Sequence, residues 1–312
     1  MAQDETRENE GPLERPLLAP WLRRATSEGR LVLEYGDEIV VLGGAGAAAL
    51  LEGMLPLLDG TRTVTDTAAA LGAPRDVVEA VVEALRGHGL VVSGSRAGET
   101  ALLCAALARS EHPQELEETL AGAAVAVAGE SRCASELVRL LEPLVGSVER
   151  VAWENTAAAD VGVAAPSPGE LPRLAAWNEQ ALALGRPWLQ VVPFNGRFAA
   201  LGPLFVPGET CCERCYRERR AAALGEPLLL ALDSSPAGYP EPRALAAALA
   251  GLAATLLARW LATSDPSLPG VMFAVELAPQ LRLDAHRVLR LPRCPACSPA
   301  HAVAAPLPWS AA

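Results

Sequence analysis

The sequence predicts an α/β protein in two parts, a small α+β module followed by a larger domain built on a sheet with helical crossovers. Three observations predict it. Residues 30–93 read as a hairpin, three helices and a closing strand. From residue 123 short apolar strands alternate with helices. Two Cys-x-x-Cys pairs in the last third of the chain supply four thiols at metal-binding spacing. With 312 residues, 51% apolar and 20% charged, each part has material for its own core.

In the module, Arg30-Leu-Val-Leu-Glu34 and Ile39-Val-Val-Leu42 are strand-like runs joined by Gly36-Asp37, a hairpin signal. A helix follows from about Ala45 to Leu58, its apolar stripe Leu50, Leu51, Met54, Leu55 and Leu58, stopped by Asp59-Gly60. Arg62-Thr63-Val64 reads as a brief extended segment, and Thr65 as the cap of a second helix ending near Leu71. Pro74 opens a third helix to Gly87, with Val77, Val78, Val81, Val82 and Leu85 on its core face. Leu90-Val91-Val92 closes a winged-helix-like unit. DNA binding is its default role, but the third helix carries Arg75 and Arg86 against Asp76, Glu79 and Glu83, and an acidic helix forgoes the phosphate attraction that dominates such affinity.

Residues 97–122 read as a helical connector. Ala123-Ala-Val-Ala-Val-Ala128 is then a strand, followed by Gly129 and a helix through Leu137, Val138 and Leu141. Val148 to Trp153, Val161 to Ala164 and Trp188 to Val192 are further strands, and Leu171 to Leu184 is a helix. A nucleotide site belongs in a Gly-x-Gly-x-x-Gly turn after the first of these strands, leading into a helix N-terminus. Here the turn is Gly129-Glu-Ser-Arg-Cys-Ala134, which keeps only the first glycine. Glu154 stands where an acidic residue would hold a ribose, but a charged residue at an exposed strand end is more often merely solvated.

Cys212-Glu-Arg-Cys215 and Cys294-Pro-Ala-Cys297 can each place two thiolates on one metal from a tight turn. Four thiolates suit tetrahedral Zn²⁺ and leave no open position, so the expected role is structural. Cys211 is a possible substitute for Cys212, Cys104 and Cys133 read as core residues, and His88, His112, His286 and His301 show no triad or metal spacing. Arg214, Arg217, Arg219 and Arg220 read as a solvated basic helix face, and Pro306 to Trp309 as part of a tail over 301–312.

Composition excludes several chemistries. All 26 basic residues are Arg, so there is no lysine for a phosphate loop, a Schiff base or an adenylating site. The net charge of −11 is spread over both parts, which argues against a nucleic-acid partner. The acidic start, Met1 to Gly11, lacks the pattern of a secretion signal, and Ala244 to Ala258, closed by Arg259 and Trp260, reads as a buried helix shorter than a bilayer span. The expected setting is cytoplasmic, with no membrane partner.

The run Leu31-Val-Leu-Glu-Tyr-Gly-Asp-Glu-Ile-Val-Val-Leu-Gly-Gly, with Leu51-Glu-Gly-Met-Leu-Pro-Leu-Leu-Asp-Gly-Thr-Arg-Thr-Val, resembles the PqqD-like recognition element of ribosomally made, modified peptide (RiPP) pathways. Gly202 to Arg220 and Arg287 to Cys297 resemble the paired knuckles of ThiF-type, ubiquitin-activating-enzyme-like proteins, specifically those of azol(in)e and thiopeptide clusters. Together the similarity covers residues 14–298. It implies a recognition element over 14–96 and a Rossmann-like ThiF-type domain with structural zinc over 123–300.

The implied function is to bind a precursor leader peptide for a YcaO-type cyclodehydratase, without catalysis and without ATP. A homodimer is compatible with it. The leader would add as a strand along Arg62, Thr63 and Val64, over a groove of Val78, Val81, Val82 and Leu85, with Arg62 and Arg75 meeting acidic leader residues. Adenylating members have a complete glycine loop, a Lys and a strand-end Asp; this chain has Gly129 alone, no Lys, and Ala165-Pro166-Ser167 at that strand end. The rival expectations are an ATP-dependent adenylating enzyme with a divergent loop and a winged-helix regulator.

Overall fold

Chain contacts divide the protein into two units, residues 1–119 and 120–312, so most of the expected connector belongs with the first. The structure is a computed structural model that describes residues 13–19, 21–43, 47–94, 98–108, 112–155, 159–225 and 240–298. The acidic start, His301 and the tail over 301–312 lie outside the described residues.

In the first unit, β1 (Pro16–Leu18), β2 (Arg23–Ser27), β3 (Arg30–Tyr35) and β4 (Glu38–Gly43) precede α1 (Ala47–Met54). Next come a 3-10 turn (Leu55–Leu57), α2 (Val64–Leu71), α3 (Arg75–Gly87), β5 (Val91–Ser93) and α4 (Glu99–Ala108). Gly36 has φ of 62°, as the tight β3–β4 turn requires. Strands β2, β3 and β4 form an antiparallel sheet in that order, while β1 pairs with β5. Leu31 and Leu33 turn inward against Leu51, Met54, Leu55 and Leu58 of the α1 region and Val78, Val82 and Leu85 of α3.

One expectation fails here: Arg62-Thr63-Val64 is not a strand. Thr63 caps α2 in a reciprocal box with Asp66, and Val64 is already helical. Upstream, Asp59 accepts from the N–H and hydroxyl of Thr61 (2.9 and 2.6 Å) and pairs with Arg62, while Arg15 bonds the Thr61 carbonyl (2.6 Å). Side chains have thus claimed the backbone N–H groups of Thr61 and Thr63 and the Thr61 carbonyl, and the Thr63 carbonyl is taken by the helix. The helix cap is Thr63 rather than Thr65.

α5 (Pro113–Gly122) leads into β6 (Ala124–Ala128), α6 (Arg132–Leu141), β7 (Ser147–Val151) and β8 (Val161–Ala164). A 3-10 segment (Pro168–Arg173), α7 (Leu174–Leu184), β9 (Trp188–Val192) and β10 (Phe198–Phe205) follow. The described chain continues with α8 (Glu213–Leu224), α9 (Arg243–Thr263), β11 (Val271–Glu276) and β12 (Arg282–Arg287).

The seven strands lie in the order β12-β11-β10-β9-β8-β6-β7. The β7-β6-β8-β9 half is parallel and the β10-β11-β12 half antiparallel, so the sheet is mixed, as in Rossmann-like folds that carry antiparallel extensions. α9 is longer than the sequence indicated and, by length and composition, could cross a membrane. It packs on α6 and buries a face including Leu245, Leu249 and Leu257.

Candidate metal centre and peptide groove

The four cysteines of the two knuckles meet. Cys212 is the N-cap of α8 and Cys215 lies in its first turn, while Cys294 and Cys297 belong to a turn after β12. Their Sγ atoms all lie within 4.8 Å of one another. Cys212 to Cys294 and Cys215 to Cys297 are each 3.6 Å, and Cys212 to Cys215 is 3.8 Å. A tetrahedron of thiolates at 2.3 Å from a metal has edges of roughly 3.8 Å, so the spacing already fits an ion. Cys212, Cys215 and Cys294 are buried and Cys297 half-buried.

The surroundings hold this geometry. Leu291 donates its N–H to Cys215 Sγ (3.4 Å), Arg290 bonds the Thr210 carbonyl (3.1 Å), and Arg219 reaches the carbonyls of Leu289 and Arg290. The hydrogen bond between Cys212 and Cys215 lowers the Cys215 thiol and raises that of Cys212, and the N–H of Leu291 adds to the lowering at Cys215, so one thiolate of the pair forms readily. A readily formed thiolate is what a metal site needs. Cys211 stays outside the set, buried, its pKa pushed up to about 12 by burial. Arg214 and Arg217 are paired with Glu218 and Glu213, so the basic helix face is laced with ion pairs. Trp153, Trp177, Trp188 and Phe205 form an aromatic chain in the same core.

The N-terminus of α6, where a nucleotide phosphate would sit, is occupied by the protein's own carboxylates. Glu170 accepts from the Glu130 N–H (2.8 Å), and Glu241 from the Arg132 N–H (2.6 Å). Glu170 also takes the Trp153 indole N–H (2.8 Å) and the N–H and hydroxyl of Ser167 (2.9 and 2.8 Å). Burial pulls the Glu170 carboxyl upward, but these four donors outweigh it and hold its pKa below the usual value. Ser131 is the buried N-cap, accepting from Ala134 N (2.9 Å) and donating to the Ala165 carbonyl (2.7 Å). Gly129 is a packing glycine: at φ 117°, an added Cβ would lie 2.1 Å from the Ala165 oxygen. Glu154 is exposed and faces Arg173 at 3.6 Å.

In the first unit a groove of about 640 Å³ runs between β4 and α3, lined by Val41, Leu42, Val77, Ala80, Val81 and Ala84 among others. Of the residues predicted to line a groove, Val81 does so, whereas Val78, Val82 and Leu85, at 0, 1 and 1% exposure, are core, Leu85 forming only the groove floor. The groove stripe is Val77, Ala80, Val81 and Ala84, adjacent on the helix to the core stripe. Arg75 is exposed and pairs with Glu79. Among the described residues no strand pairs with the outer edge of β4. Because Tyr35 and Glu38 close a two-residue hairpin, the N–H and C=O groups of Ile39, Val41 and Gly43 point to that free edge.

A scan against family models and a search of curated proteins both found no match. Solved structures do match. The fold is shared with the heterocyclase TruD. That likeness has 26% identity, a TM-score of 0.67, and covers 91% of this chain and 43% of that one. A heterocyclase in complex with substrate and cofactor aligns at 22% identity and a TM-score of 0.70, over 91% of this chain and 40% of that chain. E. coli MccB with ATP aligns at 16% identity and a TM-score of 0.61, over 91% of this chain and 99% of that one. The chain thus spans about two fifths of the length of the two heterocyclases.

Proposed function

We propose that this chain binds the leader of a ribosomal precursor peptide and presents the precursor to a YcaO-type cyclodehydratase for azoline formation, without itself catalysing a reaction. The observation that carries the proposal is the free edge of β4 facing the apolar stripe of α3. An extended peptide can hydrogen-bond to Ile39, Val41 and Gly43 while alternate side chains enter the groove. The leader strand is thereby moved from Arg62-Thr63-Val64 to β4. The likeness to TruD supports a place in heterocycle-forming RiPP pathways. Zn²⁺ is the metal proposed for Cys212, Cys215, Cys294 and Cys297, as a structural ion tying α8 to the turn after β12.

The test is fluorescence polarisation with a labelled synthetic leader. The Val41 N–H points outward, so Val41→Pro removes a bond to the leader and leaves the β3–β4 ladder intact. It is expected to weaken binding at least tenfold, with Val41→Ala much milder. Equal affinities for wild type and Val41→Pro would reject β4 as the docking edge.

The fold shared with ATP-bound MccB favours a second reading, ATP-dependent adenylation. Against it stand the carboxylates of Glu170 and Glu241, which hold the N–H of Glu130 in the turn before α6 and that of Arg132 at its first residue, and would repel phosphate. Calorimetry with Mg-ATP separates the two: micromolar binding revives adenylation.

A further inference from the structure

The first unit holds a second cavity, of about 510 Å³, beside the peptide groove. It lies between the β3–β4 turn, the C-terminal end of α3, β5 and α4. His88 lines both this cavity and the groove, so the two adjoin.

The cavity walls favour a cation. Trp21 and Tyr35 stack there with ring centroids 6.5 Å apart and planes 28° apart, and Trp21 stays 39% exposed instead of joining the core. An aromatic face left open in this way attracts an ammonium or guanidinium through its quadrupole. Asp37 and Glu38 line the same cavity, Glu38 opposite Tyr35 in the hairpin, and among the described residues neither carboxylate has a hydrogen-bond or ion-pair partner. The turn itself does not need the charge of Asp37, because Asn suits a two-residue hairpin turn as well. The C-terminal end of α3, at Gly87 and His88, adds the negative end of a helix dipole. Arg86 is the one Arg on the wall; its side chain is 13% exposed and lies 3.6 Å from Glu83, which balances its charge. An anion entering here would meet two carboxylates, and a neutral group would gain nothing from them.

We propose that this cavity receives the basic side chain of a bound peptide, an arginine guanidinium or lysine ammonium held against Trp21 by Asp37 and Glu38. The identity of that peptide rests on the leader-binding reading. A strand paired along Ile39, Val41 and Gly43 advances about 3.3 Å per residue, so one or two residues beyond the partner of Ile39 it passes Glu38 and Asp37. A long basic side chain leaving the strand there reaches the cavity, while the neighbouring apolar side chains enter the groove on α3. The leader would then be selected by a basic residue at one end of its apolar segment as well as by the spacing within that segment.

The experiment is ¹⁹F NMR of the full-length protein with 5-fluorotryptophan at its six tryptophans, the Trp21 resonance being assigned by its loss in Trp21→Phe. The probes are N-acetylarginine amide and its uncharged match N-acetylnorleucine amide, at constant ionic strength. The arginine probe should shift Trp21 saturably, with a Kd of roughly 1–30 mM, as the contacts of one residue allow. The other five resonances should stay in place, and the norleucine probe should shift none. Asp37→Asn combined with Glu38→Gln keeps the turn and should weaken the arginine probe at least threefold, its unchanged resonances showing that it folds. No saturable Trp21 shift, an equal shift from norleucine, or unchanged affinity in the double variant overturns the proposal. Saturating arginine probe should also weaken the labelled leader in fluorescence polarisation at least threefold in wild type and not in the double variant. A leader indifferent to the probe overturns the link to the peptide. Val41→Pro separates the two readings: it should lose the leader and bind the arginine probe as wild type does, and a variant that loses both counts against a separate cavity.

Discussion

Gly129→Ala asks whether the one glycine kept from a nucleotide loop is there for packing. In the folded protein the new Cβ would sit 2.1 Å from the Ala165 oxygen and 2.6 Å from its carbonyl carbon, against the 3.4 Å at which ordinary contact begins. Both obstacles are backbone, which cannot swing aside as a flexible side chain can. The φ of 117° adds conformational strain of about 1–3 kcal/mol. Forcing β8 and its following turn away from β6 adds about 1–3 kcal/mol of overpacking. Taking roughly 4 kcal/mol together, and about 2–4 °C per kcal/mol for a unit of this size, Tm should fall by about 8–16 °C. Tryptophan fluorescence reads the relevant unit, because Trp153, Trp177 and Trp188 cluster there. Gly185→Ala is the control: its φ is 63° but its Cβ would meet nothing within 4 Å, so only strain of about 1–2 kcal/mol applies. Equal Tm values for the two variants would refute the close approach as the reason for Gly129.

Cys297→Ser should leave purified protein with less than one metal per chain and a lower Tm in the second unit; unchanged metal content by elemental analysis would contradict the four-cysteine site. Glu170 has a folded pKa below its ordinary 4.5, so its stabilisation is complete above that value and is lost as pH falls through the lower folded value. Glu170→Gln should therefore be less stable at neutral pH and show a shallower loss on acidification, measured by urea denaturation at stepped pH. Val77, 39% exposed, and Val78, fully buried, are neighbours on α3 with different roles. Val77→Asp should cost leader affinity with little change in Tm, while Val78→Ala should lower Tm of the first unit with less effect on affinity once folded.

What was legible in the sequence depended on how local the determining interactions are. The hairpin at Gly36-Asp37 and the paired Cys-x-x-Cys turns are set by a few adjacent residues, and the structure has both. Thr63 and Thr65 are equally good caps by type; the partner Asp66, three residues after Thr63, is what decides, and that Thr-x-x-Asp signal was present to be read. Strands β10 and β12 gave no signal, because Gly202-Pro203 interrupts the first and Arg282 to Arg287 is mostly polar. The stripes of α3 differ by one step around the helix, and only the position of β4 tells which is core. Ser167-Pro-Gly-Glu170 has the form of a capping box, so that Glu170 turns inward was foreseeable, whereas its bond to Glu130 depends on two strand ends brought together by the sheet.

The two knuckles lie 82 residues apart along the chain, and that separation has a topological consequence. An ion shared between them would turn α8, α9, β11 and β12 into a closed ring, restricting the unfolded chain by about 4.5 kcal/mol on the chain-entropy account of cross-links. It would also act as a clasp across a broken backbone. A chain cut once within residues 216–293 should travel as a single particle while the ion stays in place. A chelator would then free the two pieces at the clasp, leaving only the packing of the sheet to hold them together.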